Sequence, residues 1–107
     1  MFGWKKNAVD VQTATAMVKD DGYTIIDVRR KDEWKNGHPV GATHISLASL
    51  ENRLKSLERK QVLVICQTGS RSKRATSIMN RHGIEALNIK GGMNAWGRAG
   101  LPVKKGK

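Results

Sequence analysis

Apolar positions along the chain fall into short runs separated by stretches with helical spacing. Asp10 can cap a helix running to about Lys19, with Val11, Ala14, Met17 and Val18 near one face, and Asp21-Gly22 ends it. Tyr23-Thr24-Ile25-Ile26-Asp27-Val28 is β-branched, closes on charged residues, and reads as a buried strand. Asp32 is positioned to cap a short helix that stops at Asn36-Gly37. A turn-rich stretch, Gly37 to Ala42, then leads to a short strand around His44-Ile45. Ser49 begins a further helix with Leu50, Leu54 and Leu57 at helical spacing. Gln61 to Ile65 is the most apolar strand, and Cys66 ends it. A loop from Gln67 to Arg71 leads into a helix to about Arg81, which His82-Gly83 terminates. Ala86 to Ile89 forms another strand, Gly91-Gly92 turns the chain, and Met93 to Arg98 makes a last short helix. Gly100-Leu101-Pro102 closes the pattern, and the basic residues 103–107 are expected to be disordered.

Strands alternating with helices of about 10 residues imply parallel strands joined by crossover helices, with helices on both sheet faces. Ligands of such α/β folds bind beyond the carboxyl ends of the strands. Cys66 lies at such an end. The 107 residues fit a single domain, with an ordered core over about 8–102. Three Trp, one Tyr and one Phe leave most packing to aliphatic side chains.

One cysteine in the whole chain excludes an internal disulfide, a four-cysteine zinc site and an intramolecular thiol pair. Whatever resolves a reacted Cys66 must come from another molecule. The segment Met1-Phe2-Gly3-Trp4-Lys5-Lys6-Asn7 has no apolar run after its charges and does not read as a signal peptide. The longest apolar stretch, Val62 to Cys66, is far too short to span a bilayer, so a cytoplasmic location is expected. The net charge of +11 is uneven: +3 over residues 1–60 and +8 over residues 61–107. Such a field attracts anions to the second half, although a solvated basic surface is an equally simple reading.

The chemistry concentrates in Cys66-Gln67-Thr68-Gly69-Ser70-Arg71-Ser72. A buried strand stops at a thiol, a small polar loop follows, and a helix begins. Gly69 permits a tight curl whose successive N–H groups face inward, and the positive end of the helix adds to that nest. Cysteines in such settings have pKa values of roughly 3.5–7.5 rather than about 8.5. Arg71 adds a fixed charge and a planar fork suited to an oxyanion. The parts suit a nucleophile that attacks an anionic substrate and then stabilises negative charge left on itself. An inert cysteine packed at the end of a core strand is the plainer alternative, against which the loop and Arg71 weigh.

Four segments together resemble the rhodanese family: Asp27-Val28-Arg29; Glu33 followed by Gly37-His38-Pro39-Val40-Gly41-Ala42-Thr43-His44-Ile45; Cys66 through Ser72; and Gly91-Gly92-Met93-Asn94-Ala95-Trp96 with Gly100-Leu101-Pro102. The resemblance runs from about Val9 to Pro102. It implies a three-layer α/β/α fold with a mainly parallel five-stranded sheet. It further implies Cys66 as a persulfide-carrying nucleophile and Gln67, Thr68, Gly69, Ser70, Arg71 and Ser72 as the substrate cradle. The implied activity is a sulfurtransferase moving sulfane sulfur from thiosulfate or another persulfide donor to cyanide or a thiol. Two positions depart from the family's frequent pattern. Gln67 stands where some members have a basic residue, which bears on thiosulfate preference. Gly-His-Pro-Val-Gly-Ala replaces the frequent Gly-His-Ile-Pro-Gly-Ala and concerns only the turn.

Two alternatives follow. A cysteine phosphatase or arsenate reductase needs one more residue between Cys and Arg than the four found here, Gln67 to Ser70. A reductase relay would also need a second thiol. A persulfide relay module would instead pass sulfur to a protein partner, with the basic surface, including Lys73 and Arg74, as its docking face. Neither a cofactor nor a metal is expected, and neither a membrane nor nucleic acid is an expected partner.

Among the remaining residues, Asp27 and Arg29 can form an ion pair that braces the loop or orients Arg71, with a purely structural salt bridge as the simpler reading. His38 and His44 lack nearby Cys or acidic ligands and read as turn-stabilising hydrogen bonders rather than as a metal site. His82 reads as a partner of helix-terminal carbonyls. Trp34 and Trp96 read as packing residues, and Trp4 as a candidate exposed contact.

Overall fold

A computed structural model describes residues 7–107. Among the described residues, seven strands and four α-helices are arranged in the order β1 (Ala8–Val9), α1 (Val11–Asp21), β2 (Thr24–Asp27), α2 (Lys31–Lys35), β3 (His38–Pro39), β4 (Thr43–His44), β5 (Gln61–Ile65), α3 (Ser70–Arg81), β6 (Glu85–Ile89), α4 (Gly92–Arg98) and β7 (Val103–Lys104). A 3₁₀ segment, Leu47–Leu57, joins β4 to β5. The main sheet has the order β1-β6-β5-β2-β4 and every pairing in it is parallel. The α/β expectation therefore holds, with a five-stranded parallel sheet between helical layers.

Side-chain alternation along the strands sorts the core into two halves. Val62 and Val64 of β5 join Ile26, Ala86, Leu50, Leu54, Leu57, Ala75 and Met79 under α3 and the 3₁₀ segment. Leu63 and Ile65 join Ile25, Val11, Ala14, Ile89 and Trp96 under α1 and α4. Each fully buried aliphatic of β5 contributes about 1.5–3 kcal/mol by leaving water. That is why the most apolar run in the sequence becomes the central strand. Cys66 continues the alternation of Val62 and Val64, so its side chain enters the half covered by α3.

Several elements differ in detail from the sequence expectation. Asp10 does cap α1, its carboxylate accepting the Thr13 N–H at 2.8 Å. Val18 is nevertheless exposed, because the face of α1 that meets the sheet is set by Val11 and Ala14. Asp32 does not cap α2. The cap position is Arg30, whose N–H donates to the Glu33 carboxylate at 3.1 Å, and Asp32 pairs with the exposed Arg30 guanidinium. The helix expected from Ser49 begins at Leu47 and winds as a 3₁₀ segment, still burying Leu50, Leu54 and Leu57.

Residues 103–107 are not a disordered tail. Val103 and Lys104 form β7, antiparallel to β3, and Gly106 N–H donates to the Lys35 carbonyl at 2.8 Å. Trp4 lies outside the described residues. Among the described residues, no helix is long and apolar enough to cross a membrane.

Candidate active site

Cys66 leaves the carboxyl end of β5, the middle strand of the sheet, beside the end of β2, where Asp27 is in register with Ile65. The chain then turns within Gln67, Thr68 and Gly69, and α3 already begins at Ser70. Ser70, Arg71 and Ser72 are thus the first turn of a helix and not loop residues. The compact turn depends on Gly69, whose φ of +109° is the left-handed region that glycine enters without strain. It brings the first amides of α3 back over the thiol. Gly69 N–H lies 3.1 Å from Cys66 Sγ, Ser72 N–H lies 3.3 Å away, and the Ser72 hydroxyl also sits at 3.3 Å.

The sulfur is therefore buried but not idle. Cys66 is only 1% exposed, yet the polar hydrogens above it converge on Sγ. Burial pushes the thiol pKa up, and hydrogen bonds from the Ser72 hydroxyl and from the Ser72, Gly69 and Thr68 amides push it down. The second effect is larger, so the thiol ionises below its ordinary value. The Ser72 hydroxyl also meets Gly69 O at 3.2 Å and the Asn88 side-chain oxygen. With one proton among three acceptors, it can turn to the sulfur when the sulfur carries charge.

The cradle is fastened from behind by α4 and β6. Met93 N–H donates to the Cys66 carbonyl at 2.8 Å and Asn94 N–H to the Gln67 carbonyl at 3.1 Å, so the first turn of α4 grips the base of the loop. Asn88 of β6 donates from its amide to the Gly69 carbonyl at 3.3 Å. Gln67 is held at both ends of its amide: Nε2 donates to Asn94 Oδ1 at 2.7 Å, and Oε1 accepts from Arg29 Nη1 at 3.1 Å. Of the cradle residues, Gly69 and Ser72 contact the sulfur directly and the Thr68 amide acts on its ionisation. Ser70 is the first residue of α3.

Asp27 and Arg29 form an ion pair, at 2.8 Å and almost wholly buried. Arg29 braces the loop through Gln67 and also donates to the Gly37 carbonyl at 2.6 Å. It does not orient Arg71. That role falls to Glu33 of α2, whose two carboxylate oxygens accept from the two ends of the Arg71 guanidinium at 2.7 and 2.9 Å. The Arg71 guanidinium, the Arg30 N–H and the Arg30 charge together outweigh partial burial, holding the Glu33 carboxyl at about 2. Arg71 in turn is held more firmly protonated. The fork expected to receive an oxyanion is thus already occupied by a carboxylate.

The histidines do not converge. His38 Nδ1 donates to the Trp34 carbonyl at 2.8 Å and its ring stacks on Trp34 at 3.4 Å. His44 Nε2 donates to the Arg29 carbonyl at 2.7 Å. His82 Nδ1 donates to the Ile78 carbonyl at 2.9 Å. Among the described residues, no group of three or more His, Cys, Asp or Glu is placed to hold a metal ion. Trp34 and Trp96 are both buried. Lys73 and Arg74 lie outside the thiol cradle, along an open groove they share with Glu51, Arg81 and His82.

Sequence reasoning missed Glu33, Asn88 and Asn94 as parts of the site. Asn88 carried a signal, since a lone amide inside the apolar run Ala86 to Ile89 needs a buried partner. Glu33 and Arg71 are 38 positions apart, and nothing in their local spacing pairs them.

The family model of the rhodanese-like domain matches residues 10–99. The Bacillus subtilis (strain 168) protein YqhL is 39% identical over 75 residues, covering 68% of this chain and 60% of that protein. The thiosulfate sulfurtransferase GlpE of Vibrio cholerae serotype O1 is 31% identical over 98 residues, covering 90% of this chain and 92% of GlpE. The chain spans less than two thirds of some relatives, including YqhL and a second Bacillus subtilis protein of which it covers 43%. Among solved structures, a rhodanese-related protein from Thermoplasma volcanium superposes with a TM-score of 0.85 at 29% identity, covering 92% of this chain and 97% of that one.

Proposed function

The chain belongs to the rhodanese-like family, and on that premise we propose that it is a sulfurtransferase that carries sulfane sulfur as a persulfide on Cys66. The observation that carries this reading is the convergence of Gly69 N–H, Ser72 N–H and the Ser72 hydroxyl on one sulfur atom. Such a ring stabilises a negative sulfur without a metal or a dedicated base.

The reaction is a double displacement. The Cys66 thiolate attacks the outer sulfur of the donor, forming a Cys66 S–S bond. The donor's own bond to that sulfur breaks, and the leaving group departs with the electron pair: sulfite from thiosulfate, or a thiolate from an alkyl persulfide. The charge then rests on the outer sulfur of the Cys66 persulfide, and the loop amides favour the anion over its protonated form. An external cyanide or thiolate attacks that outer sulfur, forming thiocyanate or a new persulfide. The Cys66 thiolate is restored as the S–S bond breaks. No electrons are gained or lost overall, so no separate oxidant or reductant is required.

Two features support sulfur over phosphorus as the transferred atom. The turn from Cys66 to α3 is closed by Gly69, and its donors reach Sγ itself at 3.1–3.3 Å, leaving little room for a tetrahedral group between them. The Arg71 fork, which a phosphate would need, is taken by Glu33. The test is intact-mass measurement after treatment with thiosulfate or cysteine persulfide. Cys66 gains one sulfur, cyanide removes it as thiocyanate, and Cys66→Ala does neither. Thiocyanate production that survives Cys66→Ala overturns the reading, as does hydrolysis of an aryl phosphate without sulfur uptake.

A further inference from the structure

The charges around the loop bear on which donor it takes. Two arginines stand next to the thiol cradle, and each is already bound to a carboxylate. Arg29 is 3% exposed and is closed in by Asp27, the Gly37 carbonyl and Gln67. Arg71 is gripped at both guanidinium ends by Glu33, whose side chain is 18% exposed and also accepts from the Arg30 N–H at the start of α2. The first loop position is the uncharged Gln67, and its amide is held by Arg29 and Asn94. The cradle therefore offers N–H and O–H donors at Cys66 Sγ, while Arg29 and Arg71, the guanidinium groups that brace and flank the loop, are both already paired.

Thiosulfate carries two charges, much of them on its sulfonate oxygens. Those oxygens need a cation near the cradle, and binding would have to pull Arg71 from a bidentate, charge-assisted pair. An alkyl persulfide carries one charge, centred on the sulfur that is transferred, and has no sulfonate oxygens that call for a second cation. We propose that the Glu33–Arg71 pair sets donor specificity, making the site selective for persulfide donors of the form R–S–S⁻ and discriminating against the thiosulfate dianion. This rests on Cys66 being the sulfur carrier. In the favoured step the Cys66 thiolate forms a bond to the outer sulfur of R–S–S⁻, the donor S–S bond breaks, and R–S⁻ leaves with its electron pair. Glu33 is a positioning residue: it acts on the donor through Arg71.

The test compares kcat/KM for thiosulfate and for cysteine persulfide, with cyanide as acceptor, in wild type and Glu33→Gln. Freeing the guanidinium should raise the thiosulfate-to-persulfide ratio about tenfold, the worth of one charge-assisted contact. The change should lie mainly in a lower KM for thiosulfate. Arg71→Gln added to Glu33→Gln should abolish the gain, and Glu33→Asp, which keeps the charge, should stay near the wild-type ratio. An unchanged or lower ratio in folded Glu33→Gln overturns the proposal, as does a gain that survives in the double variant. A measurement on the wild type alone gives a second test, needed if Glu33→Gln does not fold. Sulfate, an unreactive dianion, should inhibit persulfide loading only in the millimolar range or above, and micromolar inhibition overturns the proposal. Failure of both donors to load wild-type Cys66 would instead overturn the sulfurtransferase reading itself.

Discussion

Gly92→Ala should do more damage than any other single-methyl addition at a glycine among the described residues. Gly92 opens α4 with φ at +53°, a conformation that costs an alanine about 1–2 kcal/mol. The added Cβ would also overlap the Cys66 carbonyl oxygen and lie 2.7 Å from the Gln67 carbonyl oxygen and 2.8 Å from its carbon. All three are backbone atoms of the cradle, so no side chain can rotate aside. The nearest relief is to push α4 from the loop, which stretches Met93 N–H to Cys66 O and Asn94 N–H to Gln67 O, now at 2.8 and 3.1 Å. Each lost bond costs about 0.5–1.5 kcal/mol, so the expected destabilisation is about 2–5 kcal/mol. Gly83 is the comparator, with φ at +76° and no atom within 4 Å of where an added methyl would sit, so Gly83→Ala should cost only the backbone strain of about 1–2 kcal/mol. Urea unfolding measures both, and Gly92→Ala should show the clearly lower midpoint. A Gly92→Ala midpoint no lower than that of Gly83→Ala would refute the claim that α4 clamps the cysteine loop.

Three further outcomes are expected. Ser72→Ala removes a donor at 3.3 Å from Sγ and a partner of Asn88. The midpoint of pH-dependent Cys66 alkylation should rise, and stability should fall by about 1–3 kcal/mol as Asn88 loses a buried partner. Glu33 ionises at about 2 in the folded chain against an ordinary 4.5, so its contribution to stability is complete above 4.5 and is lost as pH falls toward 2. Glu33→Gln should flatten unfolding free energy against pH across that window. Truncation after Pro102 deletes β7 and its pairing with β3, together with the Gly106 N–H bond to Lys35. It should cost about 1–2 kcal/mol, measured by denaturant midpoint.

The elements that were legible in the sequence are those whose burial is one-sided or complete. Gln61–Ile65 was read with its observed bounds because a central parallel strand is buried on both faces and appears as an unbroken apolar run. The Asp10 cap was legible because capping is local chemistry between residues three apart. Two-residue strands carry no period, so β1, β3 and β7 left no mark. Ala8–Val9 becomes a strand only because β6 lies beside it, and Val103–Lys104 only because β3 does. Val18 has the right spacing but the wrong angle: Val11 and Ala14 set the buried stripe of α1.

At the candidate site the same division holds. Cys66, Gly69 and Ser72 share one short segment, and their chemistry could be reasoned from order and size. The partner of Arg71 could not, because Glu33 arrives from α2 through the packing of β2 against β5. Of the two roles open to Asp27 and Arg29, bracing the loop and orienting Arg71, the structure shows the first, since Arg29 Nη1 reaches the Gln67 amide oxygen at 3.1 Å.

Everything proposed for Cys66 depends on the folded cradle favouring an anionic sulfur. Titrating the ultraviolet thiolate absorbance of the folded protein tests this most directly. Cys66 is the chain's only cysteine, and its only tyrosine, Tyr23, is kept from ionising until about 12 by the hydrogen bond to Glu85, burial and nearby carboxylates. The folded protein should show a thiolate midpoint below the ordinary thiol value of about 8.5, returning to about that value on unfolding. A folded-state midpoint at or above that of the unfolded chain would contradict it.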